Sequence, residues 1–263
     1  MTGFLAYVIS MHLYQEFPPH PALAAHVACL WTSRALPAGL PVRHRILPDN
    51  CIDILWQDRA PLGFVAGMMS RAHRVEMAQP TLTLAVRFLP GAARAFFGLP
   101  LHALQDGHPA LDDLWPRADA EALAAALWEH ERTAAQRLAI LQRALLARLR
   151  AVEPGPADRL ARAAVGLIDQ AGGAVRIDEL ARTLGVSRQH LALQFRERVG
   201  LAPKTFAMVS RFRRAGAVLR RQSGAVDWPR LALDCGYYDQ SHLIHEFRLF
   251  ADETPERFAR PRA

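Results

Sequence analysis

The strongest constraint on the fold is an internal repeat near the C-terminus. Four apolar residues recur at a spacing of 52 positions, and a glycine recurs at a spacing of 51. The first set is Gly185, Leu191, Phe195, Pro203 and Phe206, and the second is Gly236, Leu243, Phe247, Pro255 and Phe258. A sequence that repeats its core residues repeats its supersecondary unit. We therefore expect two copies of one small helical unit.

The first copy has the pattern of a helix, a tight turn and a second helix. Apolar residues at helical spacing give the first helix one buried face, formed by Ile177, Leu180, Ala181 and Leu184. Gly185 follows, where a helix end needs a residue that tolerates a positive φ. Ser187 is a suitable cap for the next helix, whose apolar face comprises Leu191, Phe195 and Val199. This arrangement predicts a helix-turn-helix.

The second copy predicts the same unit. Residues 228–235 form its first helix, Gly236 its turn, and Asp239 the N-cap of its second helix. Between the copies, residues 204–221 have the pattern of a helix about 26 Å long, at about 1.5 Å per residue. Such a spacer is expected to hold the two second helices roughly 34 Å apart, which is one turn of a DNA duplex.

The charge of the chain favours a polyanionic partner. The 263 residues carry a formal net charge of +7 at pH 7. Residues 156–263 hold 18 Lys and Arg against 12 Asp and Glu, whereas residues 1–155 hold 14 against 13. The sign of the charge does not separate nucleic acid from an anionic membrane surface, but the excess lies in the part that contains the repeat.

Residues 157–260 resemble the DNA-binding domain of the AraC family of transcription regulators. The resemblance rests on the repeat, the spacer helix and the stretch ALDCGYYDQSHLIHEFRLFADETPERF, which ends in the family's Thr-Pro-x-x-Phe signature. It implies an all-α domain of two helix-turn-helix units joined by a linker helix. It also implies binding to double-stranded promoter or operator DNA and contact with RNA polymerase, and leaves activation and repression equally open.

The resemblance further implies which positions contact DNA. In the first unit they are Ser187, Arg188, Gln189, Ala192, Leu193 and Arg196. In the second unit they are Asp239, Gln240, Ser241, Ile244, His245 and Arg248. Ser187 and Asp239 are expected to act mainly as helix caps. Leu193 stands where the family usually has a polar residue or Arg, so we expect the second unit to carry more of the sequence readout.

Three features near these helices have alternatives that the sequence leaves open. Arg211, Arg213 and Arg214 are either a solvated helix face or a set of phosphate contacts. Cys235 matches the position of Leu184 in the first copy, so a buried structural thiol is expected. His242 and His245 have the spacing of a metal pair but no third ligand nearby, so we expect no metal there.

The N-terminal part of the chain has a mainly β pattern. Pro and Gly divide residues 12–110 into short strand-like runs, namely ACLWTS, RHRILP, CIDILW, GFVAGMM, HRVEM and TLTLAVRFLP. Residues 112–151 then show helical spacing, with Asp119 as the expected cap. The Glu-Pro-Gly-Pro stretch at 153–156 ends that helix and is expected to form a linker.

Three segments of this part resemble a β-rich sensor domain found fused to AraC-type modules. They are YQEFPPHPALAAHVACLWTS, ILPDNCIDILW and AVRFLPGAARAFFGLPLHALQD. The resemblance covers about residues 12–115 and implies a cupin-like barrel with an interior pocket, followed by helices. We therefore predict an α+β chain with a β-rich sensor or dimerisation domain at 12–152 and an all-α DNA-binding domain at 157–263. The implied partner of the first domain is a small-molecule effector.

Candidate ligand-binding residues in the first domain are Trp31, Cys51, Asp53, Trp56 and Arg87. Strand alternation places Asp53 on one face of its strand and Trp56 on the other. Core packing is the alternative for both tryptophans. Asp53 and Arg87 indicate a site only if they are buried together, and a surface or structural ion pair is the alternative. Leucines within 119–151 supply apolar stripes for a homodimer or for packing on the barrel, and both uses stay open.

The cysteines define two rival functions. Cys29, Cys51 and Cys235 are too few and too scattered for a disulfide framework or a four-thiolate zinc site. A DNA-tethered enzyme, such as a cysteine-dependent alkyl-transfer repair protein, would need an exposed and activated thiol, and so would a regulator that senses thiols or soft metals. The sequence has no His-x-His pair, nucleophile elbow or phosphate-binding Gly-rich loop. We therefore expect no enzyme activity, no cofactor and no metal.

The opening stretch MTGFLAYVISMHLY has no basic segment and is shorter than a membrane span. It therefore predicts neither a signal peptide nor an anchor. With so few cysteines, the chain is expected to be cytoplasmic and to have no membrane partner. Met11 is an alternative start to Met1.

Overall fold

The computed structural model of the chain describes residues 12–35, 42–149, 155–222 and 224–260. The opening segment with the alternative start at Met11 lies outside the described residues, and so do Glu153 and Pro154 of the expected linker. A β-rich region comes first and a helical region follows it. The predicted α+β class is therefore confirmed.

Strands form at every predicted run and at one further segment. They are β1 (His12–Phe17), β2 (Val27–Ala35), β3 (Val42–Ile46), β4 (Asp53–Gln57), β5 (Ala60–Ala66), β6 (His73–Met77) and β7 (Thr81–Phe88). The additional strand is β1, which pairs only with β2 at the edge of its sheet. An edge strand needs little apolar character to pair, so its sequence gives a weak signal.

The strands form two antiparallel sheets that face each other across a cavity. The larger sheet has the order β1-β2-β7-β4-β5, and the smaller one pairs β3 with β6. The registers of β2 and β4 against β7 place Leu30, Ile54 and Val86 on one face of the larger sheet. That face is fully buried in the main hydrophobic core. The opposite face, which carries Trp31 and Leu55, points into the cavity.

Short helices connect the sheets to the rest of the chain. They are α1 (Arg94–Phe97), α2 (Arg117–Trp128) and α3 (Ala134–Arg148), with 3-10 segments at Pro21–Leu23, Leu101–Leu104 and Leu111–Asp113. The prediction that Asp119 caps a helix is wrong, because α2 begins directly after Pro116. Asp119 lies in the first turn instead, where its carboxylate pairs with Arg148 at 3.2 Å. Thr133 caps α3, in a capping box with Gln136.

The leucine stripes of α2 and α3 pack inside the N-terminal region. Their buried members are Leu123, Leu127, Leu138, Leu141 and Leu145. All five belong to the same core as the buried face of the larger sheet, and α2 packs against β5. Of the two alternatives for these stripes, packing on the β structure is therefore the one found, and the stripes are not available as a dimer surface.

The C-terminal region consists of seven helices in the described residues. They are α4 (Pro156–Gln170), α5 (Ile177–Thr183), α6 (Arg188–Val199), α7 (Pro203–Arg221), α8 (Trp228–Asp234), α9 (Gln240–Ala251) and α10 (Pro255–Ala259). The pairs α5–α6 and α8–α9 are the two predicted helix-turn-helix units. Gly185 and Gly236 adopt φ values of 67° and 83° in their turns, as expected. Helix α7 is the linker between the units.

Two hydrophobic cores run through the molecule, and α7 contributes to both. Phe206, on the first half of α7, packs with Phe195 in a core that also contains the buried face of the larger sheet. Phe212, one and a half turns later, packs with Phe247 and Phe258 in the core of the second unit. The first helix-turn-helix unit therefore shares its core with the N-terminal region.

The turn after α4 gives a test of this packing. A Cβ at Gly173 would lie 2.1 Å from the Ala207 carbonyl oxygen of α7, whereas a Cβ at Gly185 would meet nothing within 4 Å. Both glycines have positive φ. We expect Gly185→Ala to lower the free energy of unfolding by about 1 kcal/mol through backbone strain, and Gly173→Ala by at least about 2 kcal/mol more, because α7 must also move. Urea unfolding of both variants measures the difference, and equal losses would contradict the packing.

Candidate nucleic-acid interface and interior cavity

Each second helix of a helix-turn-helix unit is capped by the residue that the sequence indicates. Ser187 Oγ accepts a hydrogen bond from the His190 N–H at 3.1 Å, and Asp239 Oδ1 accepts one from the His242 N–H at 2.7 Å. A side-chain oxygen at the N-cap satisfies one of the free N–H groups of the first turn. The expectation that these two residues act as caps is confirmed.

The residues expected to contact DNA lie on the surface of α6 and α9. Ten of the twelve are exposed, and the remaining two, Ala192 and Ile244, are half-buried. Leu193 is 55% exposed, because it lies outside the buried stripe of Leu191, Phe195 and Val199. A large apolar side chain at that exposure suits contact with a thymine methyl group better than packing within the protein.

A surface cleft lies between the two helix-turn-helix units, with α7 at its base. Arg188 and Ala192 of α6 line one side, and His245 of α9 lines the other. Lys204 at the start of α7 lines it as well. The structure therefore brings expected DNA-contacting residues of both units to one cleft. Arg188 pairs with Asp178 at 3.0 Å on the exposed surface, a weak contact that a phosphate or base can replace.

At the base of this cleft lies a largely buried ionic cluster that the sequence does not predict, and its Arg211, His242 and Glu246 form part of the cleft lining. Glu246 of α9 is 0% exposed and is paired with Arg211 of α7. The Arg211 guanidinium lies 4.8 Å from the Tyr237 ring centroid, and His242 Nε2 lies 3.2 Å from Glu246 Oε1. Arg211 is therefore held inside the domain, which favours a structural role over a phosphate contact. The available signal was that Glu246 falls on the apolar stripe of α9, since a charged residue there must be buried with a partner.

Replacing Arg211 distinguishes a structural role for this residue from a place on a solvated helix face. Arg211→Met leaves the Glu246 carboxylate buried and unpaired, so we expect a loss of about 3 to 5 kcal/mol in the free energy of unfolding. The matched control Arg214→Met, on the exposed side of α7, is expected to change it by less than about 0.5 kcal/mol. Urea unfolding compares the two variants. Equal stability of both would mean that Arg211 is part of a solvated face.

The N-terminal region contains a cavity of about 600 Å³ between its two sheets. Its lining is mainly apolar and includes Trp31, Leu55 and Phe64 of the larger sheet, with Ile46 and Val75 of the smaller sheet. A cavity of this size and composition matches the usual range of small-molecule sites. Asp49 contributes a buried carboxylate at one end.

Of the five candidate ligand-binding residues, the structure places Trp31 in the cavity lining. Asp53 and Arg87 lie on the same sheet face, and they are buried together rather than paired on the surface. Arg87 donates to Asp53 at 3.1 and 2.9 Å, and Trp31 Nε1 donates to Asp53 at 3.2 Å. Burial raises the pKa of the Asp53 carboxyl, against the opposing effect of the Arg87 guanidinium. This group therefore supports the wall of the cavity from outside the lining.

The other two candidates lie away from the cavity lining. Trp56 is fully buried on the opposite face of the sheet, where it belongs to the main core, so core packing is the alternative that holds for it. Cys51 follows the turn at Asp49, and its N–H donates to Asp49 Oδ1 at 3.1 Å. Asp49 itself pairs with Arg87 at 3.2 Å. Asp49 is a cavity-lining residue that is absent from the candidates drawn from the sequence.

The three cysteine thiols are not activated, because the pKa of each is raised. Burial is the main cause that raises the pKa of Cys29 to about 12, and it raises the pKa values of Cys51 and Cys235 as well. Cys235 is buried in the core of the second unit, as expected for a structural thiol. Because a thiolate is the reactive form, these shifts disfavour nucleophilic or sensing chemistry at the three positions.

Thiol titration tests whether the three cysteines are unreactive in the folded protein. At about pH 8 we expect dithionitrobenzoate to react with the folded protein at least about a hundredfold more slowly than with the urea-unfolded chain, because raised pKa values leave little thiolate. Cys29→Ser and Cys51→Ser variants assign any fast phase. One rapidly reacting thiol in the folded protein would restore the rival functions based on cysteine.

The described part of the chain has neither a metal-binding cluster nor a membrane-spanning helix. No group of three or more His, Cys, Asp or Glu side chains there is placed to hold a metal ion. His242 and His245 accordingly have no third partner among those residues. No helix in that part is long and apolar enough to cross a membrane.

Two family models match separate parts of the chain. Residues 15–109 match a domain of unknown function (DUF6597), and residues 180–261 match a helix-turn-helix domain. No curated protein matches the chain. The two matches correspond to the region with the cavity and to the region with the two capped recognition helices.

Three solved structures are similar to parts of this chain. The C-terminal domain of AraT, a response regulator from Geobacillus stearothermophilus, is 18% identical, with 42% of this chain and 89% of that chain covered and a TM-score of 0.37. An AraC-type transcriptional regulator from Chromobacterium violaceum is 24% identical, with 38% and 89% covered and a TM-score of 0.35. ToxT from Vibrio cholerae O395 is 10% identical, with 87% and 95% covered and a TM-score of 0.43.

Proposed function

We propose that the protein is a transcription regulator of the AraC type that reads promoter or operator DNA with both of its units. The match of residues 180–261 to a helix-turn-helix domain supports this proposal. The observation that carries this proposal is the cleft between α6 and α9, where exposed residues of two capped helices meet. Helix N-termini and basic side chains suit phosphate contact, and exposed polar residues of the first turns suit base edges.

The residues proposed to contact DNA are those named for α6 and α9. Gln240 and His245 are proposed as the main base readers, because both are exposed near the start of α9. In α6, Arg188 and Gln189 are the residues proposed to hydrogen-bond with bases, since Leu193 offers only an apolar contact. Arg196 and Arg248 are proposed to contact phosphates.

The N-terminal domain, 12–152, is proposed to bind a small, mainly apolar organic effector. The support is the cavity of about 600 Å³, whose apolar walls belong to two facing sheets. Homodimer formation and contact with RNA polymerase complete the proposal, on the basis of the domain type. A dimer would have to use a surface other than the leucine stripes, which are buried.

DNA binding by purified full-length protein tests the proposal. The probe is the intergenic DNA beside its own gene, in excess nonspecific competitor and at several salt concentrations. We expect Gln240→Ala and His245→Ala each to weaken the specific complex by about 1 to 3 kcal/mol, and Gln189→Ala to weaken it less, because the second unit carries more base contacts. The change in affinity with salt concentration gives a separate measure of the number of phosphate contacts.

Gln222→Ala is the matched control, because Gln222 is an exposed glutamine that follows α7 and belongs to neither α6 nor α9. Its affinity is expected to equal that of the wild type. Binding that is wholly nonspecific, or equally sensitive to Gln222→Ala and Gln240→Ala, would contradict readout by α9.

A further inference from the structure

The turn between β3 and β4 has the cavity on one side and the linker helix on the other. Leu47 and Asp49 line the cavity. Asn50, the next residue, is 1% exposed and points the opposite way. Its side-chain amide donates to the Phe206 carbonyl at 3.0 Å and to Ser210 Oγ at 2.9 Å, both on α7. Adjacent residues of one turn therefore contact the cavity and the helix that joins the DNA-reading units.

This turn is held rigidly. Asn50 has a φ of 62°, a left-handed conformation that few residues other than glycine adopt. Asp49 accepts from the Cys51 N–H at 3.1 Å and pairs with Arg87 at 3.2 Å. Leu47 packs in the core of the second helix-turn-helix unit while it borders the cavity. A shift of Asp49 must therefore shift Asn50 as well.

On the helix side, Asn50 contacts α7 between its two cores. Phe206 belongs to the core of the first unit, and the second unit's core begins at Val209. Ser210 Oγ also donates to Asp169 of α4 at 3.2 Å. Since α7 fixes how the two units are placed relative to each other, a small tilt at this point changes the separation of α6 and α9.

The cavity also indicates the chemistry of its ligand. Its walls are mainly apolar, and Asp49 places a buried carboxylate at one end. The Asp49 carboxylate is paired with Arg87 at 3.2 Å, and Arg59 and Glu76 of the lining are exposed. The lining also contains three histidines, His44, His73 and His108. A carboxylate accepts hydrogen bonds and repels anions, so it suits an apolar molecule with a hydrogen-bond donor such as an amine. It disfavours an apolar anion of the same size.

We infer that the Asp49–Asn50 turn couples effector binding to α7. Asp49 binds the donor group of an apolar ligand, and the hydrogen bonds of Asn50 carry the resulting change to α7. This inference rests on the proposed effector cavity and names both its ligand class and its route to the DNA-reading units. The route consists of the two hydrogen bonds that Asn50 donates to Phe206 and Ser210 of α7.

A matched pair of fluorescent probes tests the ligand class. N-phenyl-1-naphthylamine is an apolar amine, and 1-anilinonaphthalene-8-sulfonate is the same skeleton with an added anion. We expect the amine to bind at least about tenfold more tightly than the sulfonate, because of the Asp49 carboxylate. Asp49→Asn is expected to reduce that ratio to less than about threefold. Ala66→Trp, which fills the cavity, is expected to abolish binding of the amine.

Hydrogen exchange of full-length protein tests the route. With N-phenyl-1-naphthylamine bound, we expect amides in residues 203–221 of the wild type to change their exchange rates by at least about threefold. Asn50→Gly keeps the positive φ and removes only the side chain, so the amine should still bind while the change in α7 disappears. The control is Ser70→Ala, which removes a hydrogen bond to Asp106 inside the N-terminal region and should keep the response.

Each of the alternative results contradicts one part of the inference: the cavity, the ligand class or the route. If the amine does not bind, the effector cavity and the route both fail. If it binds without any change in residues 203–221, the route is wrong while the cavity stands, and equal binding of the sulfonate overturns the ligand class. The smaller sheet offers a competing path, because Arg45 hydrogen-bonds the Ala251 carbonyl at the end of α9. A response that survives Asn50→Gly but is lost in Arg45→Met would assign the signal to that path and refute the inference.

Discussion

Packing of α7 into both hydrophobic cores is the interaction on which the rest of the molecule depends. Phe206 and Phe195 meet edge to face at 5.4 Å in the first core, and Phe212 and Phe247 do so at 4.9 Å in the second. The two helix-turn-helix units thus obtain their cores from opposite ends of a single helix. Their relative placement is a property of α7, and any group that contacts α7 between those ends acts on both units at once.

Two buried ionic clusters lie at the junctions of this arrangement. Arg211 and Glu246 join α7 to α9, and Arg87 joins Asp53 of the sheet to Asp49 of the turn. A buried ion pair adds little net stability, because desolvation offsets most of the attraction, yet loss of one partner is costly. We therefore interpret both clusters as devices that fix orientation: the first sets the rotation of α9 on the linker, and the second sets the turn that contacts α7.

Local signals in the sequence predicted five of the seven helices of the C-terminal region, α5 to α9. Several helix ends there are marked by a cap or a glycine, as at Ser187, Gly185 and Asp239, and these act within a few residues. The features that escaped prediction join distant positions, as Asn50 and Ser210 do across 160 residues. Strand alternation separated Asp53 from Trp56, but it does not tell which face of a sheet borders a cavity. Asp119 failed as a cap because Pro116 already starts the helix.

The two faces of the larger sheet differ in a way that would let the proposed sensor domain respond without unfolding. One face is buried in the core that includes α2, α3 and the first helix-turn-helix unit, so it must stay packed. The other face borders the cavity and carries polar residues such as Ser33 and Thr83 among the apolar ones. Occupation of the cavity therefore changes contacts on the second face alone. The turn at Asp49 and Asn50 borders the cavity and hydrogen-bonds to α7, so the inferred route would carry a local change to α7 while the main core remains intact.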